Sequence, residues 1–297
     1  RCNSQCMVYK ESFLNYLQYE KRYSQHTVVS YECDLTQFYH FCDREMGQYN
    51  VQEFTHRDIR RWIVSLLQEG NSPRTVNRKL STLKSFFRYL QRESFVESSP
   101  MDKVIAPRQG KKLPSFVSEH SMQLLQEVDF GEGFIGARDR LILELFYTTG
   151  MRLSELMGLT LRSFDRSAGT LKVLGKWNKE RILPLSDGVG TLLEAYLGER
   201  ERCFGFGEQC LFLTQKGAPV YEKLLYRIVR KFLGKVTSQT KRSPHVLRHT
   251  FATHLLNNGA ELNAVKELLG NANLSATKVY RHTTFEKLKG VYELAHP

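Results

Sequence analysis

Two arginines, a histidine, a lysine and a tyrosine in the second half of this 297-residue chain are the side chains best suited to chemistry. His245 and Arg248 stand three apart in Ser243-Pro-His-Val-Leu-Arg-His-Thr-Phe-Ala-Thr-His-Leu-Leu256. A Ser cap followed by Pro predicts a helix start, and Leu247, Phe251 and Leu255 recur at helical spacing as a face to bury. Residues three apart share a neighbouring face. An imidazole, a guanidinium and the N–H groups of a helix N-terminus then point to one place and favour an anion there. A phosphate of a nucleic-acid backbone fits this stretch; a capped core helix with a surface arginine explains it equally well. Arg152 follows a break at Gly150, so its side chain leaves a tight helix-to-helix turn. Lys176 sits at the tip of a hairpin, and Tyr280 lies near the end of a short helix. Taken singly, these read as a salt-bridge partner, a solvated lysine and a packing tyrosine.

Charge narrows the class of partner. Lys and Arg number 43 against 31 Asp and Glu, a net +12 with pI near 9.4. That balance favours a polyanion, because each neutralised phosphate releases counterions. Residues 1–107 hold 15 basic and 12 acidic groups and residues 108–297 hold 28 and 19, so the excess sits where the reactive side chains are. Six cysteines are too scattered for a disulfide scaffold or a zinc site. Reduced thiols in a cytoplasmic protein are the expectation. No apolar run approaches the roughly 20 residues of a membrane helix, and no signal-peptide pattern is present.

Helical patterns dominate the chain, so the fold class expected is mainly α. Residues 1–7 read as a disordered extension. Residues 8–97 form a four-helix N-terminal domain: a short amphipathic helix over 8–20, then starts at Ser24-x-x-Thr27, at the capping-box-like Thr55-His-Arg-Asp58, and at Ser72-Pro73. On the fourth helix Val76, Leu80, Leu83, Phe86, Phe87 and Leu90 supply the apolar face. Arg74, Arg78, Lys79 and Lys84 stand on the other face, where they either follow a DNA groove or are simply solvated. Residues 98–117, with three prolines and a basic run, read as a linker. Residues 118–297 form a second, mostly helical domain with one small β element. In it, helices are expected at 118–128, 136–148, 153–156, 187–202, 220–236, 244–257 and 261–269. Thr170-Leu-Lys-Val-Leu, a turn at Gly-Lys-Trp-Asn and Arg-Ile-Leu-Pro-Leu read as a β-hairpin. Two more helices are expected at 275–281 and from 285.

Five motifs appear in order. They are Thr148-Thr-Gly-Met-Arg-Leu-Ser-Glu-Leu156, Gly175-Lys-Trp-Asn-Lys-Glu-Arg181, His245-Val-Leu-Arg-His-Thr-Phe-Ala-Thr-His254, Leu268-Leu-Gly-Asn-Ala-Asn-Leu-Ser-Ala-Thr277 and Val279-Tyr-Arg-His282. Together they closely resemble the tyrosine recombinase (phage integrase) family, most of all its Xer-type site-specific recombinases. The resemblance covers nearly the whole chain, including Ser72-x-x-Thr75-x-x-Arg78-x-Leu-Ser81 in the N-terminal half.

The resemblance implies a role for each matching residue. Tyr280 is the nucleophile, leaving a 3′-phosphotyrosine and a free 5′-hydroxyl. Arg152 and Arg248 grip the non-bridging oxygens, a task that suits planar, permanently charged forks. Lys176 protonates the leaving 5′-oxygen, and His245 supports proton movement at the site. No cofactor is implied, neither metal nor ATP. Two positions depart from the pattern. Asn271 stands where His or Trp is usual; it can donate a hydrogen bond but carries no proton or charge. Trp177 stands where Gly is common beside the lysine, and either stiffens Lys176 or adds a groove contact.

The implied partners are double-stranded DNA and a tetramer on two sites, built of one chain or with a related recombinase. A DNA translocase of cell division is a further implied partner, and no membrane is. The terminal segment 285–297 is implied to dock into a neighbouring subunit. The leading reading is an active recombinase for chromosome dimer resolution. Integration or excision of a mobile element by the same chemistry stays open, as do a strand-swivelling enzyme and a DNA-binding paralogue weakened at Asn271 and Trp177.

Overall fold

Two compact units, Arg1–Lys112 and Leu113–Pro297, make up the chain. The computed structural model describes residues 4–270 apart from 48, 111–114, 176–179, 206 and 208.

In the first unit α1 (Ser4–Asn15) runs into a π-helical turn, Tyr16–Glu20, and is followed by α2 (Gln25–Glu45), α3 (His56–Gln68) and α4 (Pro73–Arg92). Their starts are set by local chemistry. Ser24 and Ser72 accept the N–H of Thr27 and Thr75 at 3.3 and 3.2 Å, and Thr55 donates its own N–H to Asp58 at 2.9 Å in a reciprocal capping box. Phe13, Leu35, Phe38, Trp62, Phe86 and Phe87 close the core, with Phe38 edge-on to Trp62 at 5.0 Å.

Two expectations for this unit are corrected. Residues 4–7 are not a disordered extension: α1 begins at Ser4, and Cys6 is buried. The reason is periodicity, since Cys6, Tyr9, Phe13 and Leu17 continue one apolar stripe past Met7. Lys79 is not on the exposed face. It lies in the stripe that runs from Val76 to Leu83, buried, where its ammonium meets Asp34 at 3.0 Å and also Gln37. Asp34, itself buried, also accepts from Arg78 Nη2 at 2.8 Å and Thr82 Oγ1 at 2.9 Å, so its charge is fully paired. Arg74, Arg78 and Lys84 are exposed.

The residues on either side of 111–114 are built into the unit they adjoin. Met101 is buried in the first core, and Asn77 donates to the Pro107 carbonyl at 2.9 Å. Val117 is buried in the second, its N–H bonded to Thr250 Oγ1 and its carbonyl to His254 Nε2, both at 2.9 Å.

The second unit is organised around α6 (Gly133–Thr149), on which Leu141, Ile142, Leu143, Leu145 and Phe146 are all buried. Its Leu141–Phe146 stretch is apolar on most sides, as a helix segment inside a core must be. The helix packs against α8 (Asp187–Phe204), α9 (Glu222–Val236) and α10 (Pro244–Asn257); α5 (Glu119–Gln126) and the short α7 (Leu153–Met157) lie on α9, and α11 (Leu262–Leu268) lies on α10. The hairpin is present as β2 (Thr170–Leu174) against β3 (Glu180–Pro184), with Leu171 opposite Leu183 and Val173 opposite Arg181. A two-residue strand, β1 (Phe164–Asp165), pairs antiparallel with β2 and makes the sheet three-stranded. The helices expected at 275–281 and from 285 lie outside the described residues. No helix among the described residues is long and apolar enough to cross a membrane.

Gly150 ends α6 in the left-handed region, at φ 56°. A Cβ there would come within 2.4 Å of Phe251 and 2.9 Å of Leu269. Gly150→Ala is therefore expected to lose about 1–2 kcal/mol to backbone strain and about 1–3 kcal/mol to overpacking. Chemical denaturation would register this; an unchanged midpoint would mean that the turn relaxes freely.

Candidate active site

Two elements far apart in sequence bring the arginines together. Gly150 turns the chain so that Arg152 caps the start of α7, while Arg248 lies one turn into α10, whose N-terminus is capped by Ser243 with Pro244 as its first residue. Arg248 Nη1 donates to the Gly150 carbonyl and Nη2 to the Leu269 carbonyl, each at 2.6 Å. Arg152 Nη2 reaches the next carbonyl, Gly270, at 3.3 Å. Both guanidiniums thus meet at the 269–270 segment, and Arg248 also reaches across to Gly150.

Glu155, one helical turn after Arg152, fastens Arg152 to Arg181. Its carboxylate is 3% exposed. It accepts from Arg152 Nη1 at 2.8 Å, the Arg152 N–H at 2.7 Å, Arg181 Nη1 at 2.6 Å and Arg181 Nη2 at 2.8 Å. Burial pushes the Glu155 carboxyl up, but the hydrogen bonds from Arg181 and Arg152 and the charge of Arg181 outweigh it and hold the group below its ordinary value. Burial, reinforced by the neighbouring Arg152 and Arg181 charges, lowers Arg248 to about 10 against the opposing pull of Glu155. That value still leaves a cation at neutral pH. A surplus of positive charge with little water around it is what an anionic, doubly oxygenated group such as a phosphodiester needs.

His245 is placed differently. It is exposed and lines an open groove of about 670 Å³ with Arg227, Arg230, Lys241, Arg242 and His249. No hydrogen bond among the described residues joins it to either arginine. The groove is basic along α9 and the start of α10, a surface suited to a polyanion. Lys176, Trp177, Asn271 and Tyr280 lie outside the described residues.

Glu155 and Arg181 are the members of the site that sequence reasoning passed over. Glu155 carried a signal, since Arg-x-x-Glu at the start of a helix places the pair on one face. Arg181 carried none beyond its place in the Gly175–Arg181 motif.

The phage integrase family pattern matches residues 114–287, and its N-terminal SAM-like domain matches residues 11–94. The chain belongs to the phage integrase family of tyrosine recombinases. The tyrosine recombinase XerC of Chlorobaculum parvum is 38% identical over 97% of this chain and 94% of its own length. That of Bacillus subtilis is 37% identical over 96% and 95%. The fold also superimposes on the crystal structure of the XerH site-specific recombinase bound to a palindromic difH substrate, with TM-score 0.72 and 21% identity over 96% of this chain and 86% of the other. The recombinase is of the Xer type, an enzyme that cleaves and rejoins DNA at specific sites.

Proposed function

We propose that the arginine cluster receives the scissile phosphate of a dif-like site, and that the biological reaction is chromosome dimer resolution. The convergence of Arg152 and Arg248 on the adjacent Leu269 and Gly270 carbonyls carries this reading. Held there, the two forks neutralise the non-bridging oxygens as the phosphorus becomes five-coordinate. Tyr280 attacks, the 5′-oxygen leaves with a proton from Lys176, and the 3′-phosphotyrosine stores the bond for religation. His245, exposed at the head of the helix that bears Arg248, assists proton movement once DNA covers it, and Asn271 donates to a phosphate oxygen. Arg74, Arg78 and Lys84 follow the duplex backbone. The working form is a tetramer on two sites, with residues 285–297 docked between subunits. The partner is a second copy or a related recombinase, the further partner is a DNA translocase of cell division, and the compartment is the cytoplasm.

The test is exchange between two duplexes. The purified recombinase, alone or mixed with a related recombinase chain, should recombine paired dif-like sites. Relaxation of supercoils without exchanged product would contradict the reading. Binding should also weaken by about 10³-fold or more between 50 and 200 mM salt if roughly six phosphates are neutralised. An affinity flat with salt would contradict a backbone-tracking surface.

A further inference from the structure

Arg181 has no part in the reaction as described above, yet it is as firmly built in as Arg152. It lies on β3, its side chain 15% exposed, and it makes a two-pronged ion pair with Glu155. Glu155 therefore meets four donors, two on each oxygen: Arg152 Nη1 and Arg181 Nη1 on Oε1, the Arg152 N–H and Arg181 Nη2 on Oε2. A carboxylate has about four lone-pair sites, so this one is saturated. Gly270 packs directly against the pair. At φ 64° it has no Cβ; one built there would stand 3.0 Å from Arg181 Nη1 and 3.5 Å from Arg152 Nη1.

Charge gives the arrangement its meaning. Glu155 with Arg152 alone would be a neutral pair, a poor partner for a phosphate. With Arg181 added, one carboxylate serves two guanidiniums and the group keeps a positive charge, to which Arg248 adds another. Fastening β3 to the turn before α7 needs a contact, but not a second cation.

We propose that Arg181 is a positioning residue for strand cleavage: it supplies the countercharge that lets Glu155 hold Arg152 in place without neutralising it. The inference rests on the reading of Arg152 as a ligand of the scissile phosphate. Arg181 also lies within electrostatic reach of Arg248, whose pKa it helps to lower.

The experiment measures single-turnover formation of the covalent adduct on a nicked dif-like duplex. The scissile group is either an ordinary phosphodiester or a methylphosphonate, which lacks the negative charge. Losing a donor aimed at developing charge costs about 10²–10³-fold, and Arg181 acts one residue away. Arg181→Met is therefore expected to slow cleavage of the phosphodiester by about 10–10²-fold, and to differ from the unaltered chain by no more than about threefold on the neutral group. Arg181→Lys keeps the charge and gives up the fork, so it should stay within about tenfold on the phosphodiester.

Equal slowing by Arg181→Met on both substrates, or no slowing on either, would overturn the inference while leaving the phosphate reading intact. Failure of the unaltered chain to form any adduct would sink both. Should Arg181→Met melt early, Arg181→Lys decides. A normally melting Arg181→Lys that is slowed beyond about 10²-fold on the phosphodiester places the effect in geometry and overturns the charge role.

Discussion

Tyr280→Phe is expected to lower covalent adduct by on the order of 10⁴-fold or more, while affinity for the DNA site stays nearly unchanged. The substitution removes one oxygen and leaves the ring. It leaves every Lys and Arg in place, including Arg227, Arg230 and Arg242 of the basic groove. Binding comes from many phosphate contacts, each a small share of the whole, whereas the covalent step has a single attacking atom. Gel mobility shift and adduct formation on the same nicked duplex separate the two quantities. Surviving adduct would mean that another side chain attacks, and a parallel loss of binding would mean that the phenol helps to hold DNA.

Arg248→Lys is the second large effect expected, a fall of about 10²–10³-fold in single-turnover cleavage with little change in affinity. The guanidinium spans two carbonyls that belong to different segments, Gly150 at the end of α6 and Leu269 after α11. An ammonium is a single point and cannot bridge both while presenting further donors to a phosphate. Lysine is the right substitution because it preserves the charge. Alanine would leave two inward-facing carbonyls unpaired, at about 1–3 kcal/mol each, and would confuse stability with catalysis. A Lys variant that cleaves at the unaltered rate would show that charge alone suffices at this position.

How far the sequence discloses the site follows from the range of the interactions involved. Caps at Ser24, Thr55, Ser72 and Ser243 join residues two or three apart, and all four are legible. So is the Gly150 break, because only a left-handed residue ends α6 there. The hairpin shows through alternation, but β1 is two residues long and has no periodicity to display. Lys79 reads as exposed by residue type, yet its spacing from Val76 and Leu83 puts it inside, and Asp34 on α2 makes burial tolerable. The arginine cluster was legible as motifs but not as a network. Glu155 and Arg181 are 26 positions apart, and Arg248 and Gly150 are 98 apart. No local rule connects such pairs: the packing of α7 on the sheet brings the first into contact, and that of α10 on α6 the second. His245 and Arg248 share a helix as expected. Arg248 is drawn to the Gly150 and Leu269 carbonyls, while His245 is left exposed in the groove.

The central claim is that this chain breaks DNA through Tyr280. The most direct measurement traps the recombinase on a nicked dif-like duplex, digests the covalent complex and maps the nucleotide-bearing peptide by mass spectrometry. One modified peptide is expected, containing Val279-Tyr280-Arg281, with the DNA 3′-phosphate esterified to the Tyr280 oxygen. A 5′-linked adduct, an adduct on any other residue, or none at all would contradict it.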